Sequence, residues 1–402
     1  MRRPRIELRR QLPVYSPLPL ASIKSGLGAA LEGEPSLRDL SRRLDERYAP
    51  HELTLTDSGT AALALAIAAV GGPVALPAFC CFDIATACDG AGVAPILYDV
   101  DPRTLAPVWA SLERALALGA RSVVVVHLYG VPVPMSRVRA AARATEAFVI
   151  EDAAQGTGAW WGGHRVGTLG NFGVLSFGRG KGVTGGGGGA LLSNDARAAA
   201  RLAALNLPLD AARLPARDLV ATAAQWLFAR PAVYGLPASI PFLGLGGTVY
   251  HRPRAPGGMS AFSSGVLRAS LHLEDREAEV RRRNAGRLAG VIAGTHGALR
   301  AVVPEEAGSR PGYLRLPVLV EDDARLDAMR SDAAARLGIL PSYPVSLADL
   351  PGFAERVLNR GEDFGGARRL AQRLVTVPVH SRVGVGDLTV VAEFIGAGVA
   401  ST

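Results

Sequence analysis

The sequence predicts an α/β fold, with a mainly parallel sheet flanked by helices and a smaller C-terminal α+β domain. Three observations predict it. Short apolar runs alternate with helical stretches from residue 53 to about residue 200, the pattern of βαβ units whose strands are covered on both faces. The chain has 402 residues, more than one hydrophobic core usually serves. With 49% hydrophobic and 20% charged residues it is globular in composition, and its 47 glycines and 27 prolines are dispersed rather than repeated. The expected division is an N-terminal arm (1–20), a large domain (21–255) and a small domain (256–402).

Each element follows from its residues. "AALALAIAAV" (61–70) is an Ala/Leu helix. "PVALPAF" (73–79) and "APILYDVD" (94–101) read as short buried strands, and "SVVVVHLYG" (122–130) as a β-branched run closed by Gly130. "AFVIEDAA" (147–154) is a strand running into acidic and small residues, and "FGVLSFG" (172–178) and "GALLSN" (189–194) follow it. Residues 197–230 carry a helical pattern. Residues 231–251 contain no Asp, Glu, Lys or Arg, but three prolines and four glycines oppose a regular helix. They are expected to form an apolar insertion over a pocket or subunit interface, with membrane contact as the alternative. A long helical pattern starts at Ser260, then come a strand at 312–320, a helix near 322–337 and a terminal helix after residues 375–383.

The bulk numbers exclude several functions. The net charge of +8 is spread along the chain apart from Arg2, Arg3, Arg5, Arg9, Arg10 and Arg281–Arg283. No basic stripe interleaved with aromatics marks a nucleic-acid surface. Cys80, Cys81 and Cys88 are odd in number and two are adjacent, unlike a secreted disulfide framework, and no His cluster completes a metal site. Pro13, Pro17 and Pro19 interrupt any apolar leader, so the expected location is the cytoplasm.

Of the 44 Lys and Arg residues only Lys24 and Lys181 are lysines, leaving 42 arginines. A guanidinium stays protonated and does not form an imine, whereas an amine can, so a lysine retained in such a chain is a candidate nucleophile. Lys181 sits in a glycine-rich turn after a predicted strand. Asp152 ends the strand before it, and Ser58-Gly59-Thr60 opens the helix at 61. Alone, these are a loop cation, a strand-end carboxylate and a helix cap. Together they supply what pyridoxal phosphate needs: an amine for the imine (Schiff base), an acid for the pyridine nitrogen, and hydroxyls with backbone N–H groups for the phosphate. Strand carboxyl ends are where ligands bind in such sheets.

The stretches "DSGTAALALAI", "LPAFCCFDIATACDGAGVAPILYDVDPRTL", "VVVVHLYGVPVPM", "VIEDAAQGTGAWWGGHRVGTLGNFGVLSFGRGKGVTGGGGGALLSND" and "RRLAQRLVTVPVH" resemble the DegT–StrS type sugar aminotransferase family, of the fold-type-I, aspartate aminotransferase superfamily. The resemblance runs over roughly residues 15–400. It implies that Lys181 holds the cofactor covalently and moves the proton, and that Asp152 pairs with the ring nitrogen. It further implies that Gln155 contacts the ring's phenolic oxygen and that Ser58, Gly59, Thr60 and Ser176 hold the phosphate. The ring-stacking position falls at Phe82, or else Phe79. His127, Tyr129 and His380 fall in family-like stretches but read more readily as packing residues. Trp160, Trp161 and His164 are expected in an exposed hairpin.

The resemblance implies a homodimer that moves an amino group from glutamate to a keto-sugar or related carbonyl. A sugar dehydratase or deoxygenase, and a non-catalytic cofactor-binding regulator, are the alternatives. Two departures from the family pattern bear on the substrate. Gly185–Gly189 lacks the usual glutamate, and Pro256 and Gly258 occupy the Asn and Arg places of the motif that reaches across the dimer, although Met259-Ser260 keeps its end.

Overall fold

The structure is a computed structural model that describes residues 9–210, 214–239, 247–304 and 308–397. Arg2, Arg3, Arg5 and the middle of the 231–251 segment lie outside the described residues. In chain order the elements are α1 (Leu20–Glu32), α2 (Glu34–Tyr48), β1 (Glu52–Thr56), α3 (Gly59–Val70), β2 (Val74–Pro77), α4 (Asp83–Ala91), β3 (Pro95–Tyr98), α5 (Trp109–Ala117), β4 (Ser122–Val126), α6 (Met135–Ala144) and β5 (Phe148–Asp152). The hairpin β6 (Trp160–Trp161) and β7 (His164–Arg165) follows, then β8 (Phe172–Ser176), β9 (Gly189–Ser193), α7 (Ala196–Ala203), α8 (Ala216–Phe228), α9 (Pro231–Ala238), α10 (Ala261–Ser270) and α11 (Glu274–Ala293). The chain finishes with β10 (Leu299–Ala301), β11 (Leu316–Val320), α12 (Asp323–Met329), α13 (Asp332–Arg336), β12 (Leu340–Pro341), α14 (Gly365–Arg373), β13 (Leu374–Val377) and α15 (Val385–Gly396).

The large sheet has the order β1-β9-β8-β5-β4-β2-β3. The pairs β2–β3, β2–β4, β4–β5 and β5–β8 are parallel. Their strands are buried along their whole length, which is why the sequence gives continuous apolar runs there and no alternation. Strand β9 runs antiparallel to both β8 and β1. Two reversals restore the direction, so the carboxyl end of β1 lies on the same edge as those of β5 and β8. The register is explicit: Gly189 pairs with Thr56 on one side and with Ser176 on the other. A side chain on Gly189 would stand 2.5 Å from the Ser58 backbone carbon, so only glycine lets the three strands converge there.

Helix α3 packs over this edge. Its residues Ala62, Ala66 and Ile67 are fully buried, and burying a side chain such as Ile67 contributes about 1.5–3 kcal/mol. Ser58 caps it by accepting from the Ala61 N–H at 3.1 Å, and Gly71 ends it at φ 68°. The small antiparallel sheet has the order β10-β11-β13-β12. It is joined to the large sheet by polar clamps. Asp99 accepts from the Gly366 and Ala367 N–H groups at the start of α14 (2.9 and 2.7 Å), and the Asn359 amide pairs with both backbone groups of Leu97 at 2.9 Å.

Three expectations change in detail. Residues 231–238 are helical (α9) despite their prolines. Pro231 occupies the first turn, where no N–H is needed, and Pro237 comes only in the last turn. The helical pattern from 197 to 230 is two helices, α7 and α8. The pattern from 260 breaks at a 3₁₀ turn, Leu271–Leu273, and α10 before that break packs against α1 and α2. No helix among the described residues is long and apolar enough to cross a membrane.

Candidate active site

A cavity of about 910 Å³ opens at the carboxyl edge of β1, β5 and β8. Ser58, Gly59, Thr60, Asp152, Gln155, Ser176 and Lys181 all line it. Residues that lie up to 123 positions apart in the chain (58 to 181) are thus gathered by the sheet topology alone.

Lys181 occupies the turn after β8. Its backbone N–H donates to Gly178 O at 3.4 Å, and its carbonyl accepts from Ser16 Oγ at 2.6 Å, which ties the N-terminal arm to the turn. Asp152 is the last residue of β5 and is 6% exposed. Its Oδ1 accepts from the Ala154 N–H at 2.9 Å. Burial holds the carboxyl above its usual range, while the Ala154 bond and the Lys181 charge pull the other way. A buried carboxylate of this kind, facing a cavity, matches a cationic ring nitrogen.

At the other end, the closeness of Gly59 to β8 defines a cradle. A Cβ on Gly59 would lie 2.6 Å from Ser176 Cβ and 2.9 Å from Ser176 Oγ, so the glycine brings the first turn of α3 against the Ser176 hydroxyl. The N–H groups of that turn, the Ser176 hydroxyl and the Thr60 side chain surround one corner of the cavity, a natural anion site at a helix N-terminus. Ser58 Oγ donates to Asp57 Oδ1 at 3.0 Å while capping the helix.

Gln155 is fixed from both ends. Its Oε1 accepts from the Tyr129 N–H at 2.9 Å, and its Nε2 donates to Tyr343 Oη at 2.8 Å, leaving one N–H for the cavity. Tyr343 stacks on Tyr129 with centroids 5.8 Å apart, and Tyr129 Oη in turn bonds Ser342 Oγ. Burial raises both phenols, Tyr129 up to about 12. Sequence reasoning missed Tyr343, because "LPSYPVS" carries no periodicity or motif that sets it apart from a loop.

The histidines are committed elsewhere. Val133 N–H donates to His127 Nδ1 at 3.1 Å, so Nε2 carries the proton and donates to Glu151 Oε1 at 2.8 Å. Glu151 Oε2 accepts from the Leu169 and Gly170 N–H groups at 2.7 and 3.0 Å. Glu151 thus serves the face of β5 opposite to Asp152. His380 accepts from the Arg382 N–H and donates to Leu12 O, and burial lowers it to about 4. Neither histidine lines the cavity, nor does the β6–β7 hairpin, where Arg165 lies over Trp160 and Trp160 bridges to Arg310.

Phe79 and Phe82 lie outside the cavity lining as well. Phe79 is fully buried against Tyr343, at 5.3 Å between centroids, and Phe82 is buried in the main core at the start of α4. Of the stretch 79–82, the residue that lines the cavity is Cys81.

The outer wall comes from Arg217, Asp218 and Gln225 of α8 and from residues 251–255, 257 and 258. Asp57 N–H donates to Gly257 O at 2.8 Å, and Ser260 Oγ donates to Asp218 Oδ2 at 2.9 Å. Among the described residues of 231–251, only His251 lines the cavity. Helix α9 meets the N-terminal arm instead, where Arg10 N–H donates to Pro231 O at 2.9 Å.

Comparison with known proteins accords with this geometry. Residues 32–211 match the model of the DegT/DnrJ/EryC1/StrS aminotransferase family. Over this stretch, under half of the chain, the sequence is similar to that family. The L-glutamine:2-deoxy-scyllo-inosose aminotransferase of Streptomyces fradiae is 30% identical over 300 residues, 71% of this chain and 64% of the relative. The GDP-perosamine synthase of Caulobacter vibrioides is 37% identical over 150 residues, 36% of this chain and 40% of the relative. In each case the match spans less than two thirds of the relative's length. The fold is shared along nearly the whole chain with the aminotransferase TlmJ from Streptoalloteichus hindustanus, at TM-score 0.76, 21% identity and coverage of 98% of this chain and 99% of the other. The strand-edge floor of the cavity thus lies within the residues that the family model spans, while α8 and the lining residues after 250 lie beyond them.

Proposed function

We propose that the chain is a pyridoxal-phosphate-dependent aminotransferase that carries an amino group from an amino acid to a keto-sugar or related cyclic ketone. The observation that carries the reading is the joint presence on one cavity of Lys181, the buried Asp152 carboxylate and the cradle of Gly59, Thr60 and Ser176. The donor is glutamate, or the glutamine named for one relative. The acceptors named for the relatives include an inosose and, by the product name GDP-perosamine, a nucleotide-linked sugar. The cytoplasm is the proposed location and a homodimer the proposed assembly.

Pyridoxal phosphate, when bound, supplies a ring that accepts electrons from the bond being broken at the amino-acid carbon. The chain's own residues do the rest. Lys181 Nζ would anchor the group and move the proton between the amino-acid α carbon and the cofactor's C4′. Asp152 keeps the proton on the ring nitrogen, and its burial strengthens that pairing. Gln155, held by Tyr129 and Tyr343, offers its free N–H to the ring's oxygen. The α3 N-terminus, Thr60 and Ser176 would hold the phosphate end.

The experiment is a panel of keto-sugars, free and nucleotide-linked, together with inosose-type ketones. Each is incubated with the loaded protein and glutamate or glutamine. Donor-dependent appearance of an aminated product, with stoichiometric release of the donor's keto acid, is expected. Release of water or of a deoxygenated product without amination would contradict the reading.

A further inference from the structure

We propose that in this chain the Cys81 thiol, rather than an aromatic ring, is the group that packs on the face of the bound pyridoxal ring. The inference rests on the pyridoxal-phosphate reading of the cavity.

The side-chain directions carry it. The sequence offers two rings near this position, and the fold uses both for packing. Phe79 is fully buried against Tyr343, and Phe82 sits in the core at the start of α4. Cys80 is fully buried too, with its Sγ turned to Pro77 O at 3.5 Å, and Cys88 is turned to Val93 O. Cys81 alone of the three cysteines lines the cavity and is partly exposed. It shares that lining with Lys181, Asp152 and Val126, and the Lys181 charge acts on it directly. Its S–H points to Asp83 Oδ2 at 3.4 Å, which fixes the rotamer and presents the sulfur flank to the cavity.

The chemistry suits the position. Sulfur is polarizable and makes favourable contacts with aromatic systems, and a thiol needs less room than a phenyl ring. Burial, then the Asp83 charge, push the thiol up to about 12, so at neutral pH it is protonated and does not compete with Lys181 for the cofactor's aldehyde. The consequence is a shallower cover over the ring, with weaker cofactor retention than an aromatic would give.

The test uses the purified full chain, with and without pyridoxal phosphate, and N-ethylmaleimide at mildly alkaline pH. Labelling of each cysteine is followed by peptide mass spectrometry, and loading is checked by borohydride fixation on Lys181. The expected result is that Cys81 labels first in the stripped protein and at least about tenfold more slowly in the loaded one, while Cys80 and Cys88 stay unlabelled in both. Equal Cys81 labelling with the cofactor fixed on Lys181 overturns the proposal and leaves the functional reading standing. Failure to fix cofactor on Lys181 at all overturns both.

A second measurement is independent of labelling. Cys81→Ala should raise the dissociation constant for pyridoxal phosphate, followed by tryptophan fluorescence, by about two- to tenfold, the loss of one sulfur–ring contact. Cys81→Phe should lower it by a similar factor. Unchanged affinity in both folded variants would also overturn the proposal.

Discussion

The cavity has two sides built on opposite terms. The floor, from β1, β5, β8 and the start of α3, consists of regular elements whose backbone groups are paired and whose apolar faces are buried. Its polar groups stand at strand ends, in the turns that follow them and at the start of α3, with Asp152 and Gln155 held by hydrogen bonds. The wall joins the helix α8 to the stretch 251–258, which has no regular secondary structure, is rich in proline and glycine and carries exposed arginines such as Arg252 and Arg254. A rigid floor fits chemistry whose geometry must not vary, and an adaptable wall fits recognition of an acceptor. Substitutions on the floor should therefore act on turnover or cofactor, and those on the wall on the choice and affinity of substrate.

After Lys181, the largest effect is expected at Asp152. Asp152→Asn keeps the shape and removes the charge, and should lower kcat by roughly 10²–10³-fold while pyridoxal phosphate stays bound. Steady-state kinetics alongside the absorption spectrum check this, and near-normal kcat would remove Asp152 from its role. His380 gives a pH signature. Its folded value near 4 lies below the ordinary 6.5, so the unfolded chain takes up the proton more readily. The stability contributed is complete above about pH 6.5 and is lost as pH falls toward 4, amounting to on the order of 3 kcal/mol. Thermal melts from pH 7 to pH 4.5 should show the loss, and His380→Gln should flatten it.

Gly59→Ala probes the cradle. Its Cβ would meet Ser176 at 2.6 Å, so the turn must shift, at a cost of about 1–3 kcal/mol. Weaker cofactor binding is expected, with substrate selectivity unchanged. The smallest effect belongs to the wall. Arg254→Ala should raise KM for a phosphate-bearing acceptor by roughly three- to tenfold, more at low salt than at high, with kcat within about twofold. An equal change for neutral acceptors would break the division between floor and wall.

The same division governs what the sequence reveals. β5 and β8 are legible because strands covered on both faces read as apolar runs, and the polar residues at or just beyond their carboxyl ends, Asp152, Ser176 and Lys181, then mark the sheet edge. β1 is not legible as a strand of that sheet. It lies at the sheet edge and is partly exposed, and its short "ELTLT" resembles many loops. The two reversals that bring it into line are a matter of tertiary pairing, not local pattern. Phe82 was the natural candidate for the ring face because only an aromatic advertises that role in a sequence. Which of four consecutive residues turns into the cavity depends on the path of the chain into α4. The helix α9 was hidden because prolines count against a helix only where their N–H is missed. The wall is least legible, since its residues are held by single loop contacts such as Asp57 N–H to Gly257 O, which leave no periodicity.

The account stands or falls on Lys181. Borohydride reduction of the protein loaded with pyridoxal phosphate, followed by peptide mapping, should place the label on Lys181. Lys181→Arg should abolish the label while keeping the charge, and should lower turnover on the order of 10⁴-fold or more. A label on Lys24, or a Lys181→Arg variant that still turns over, would contradict it.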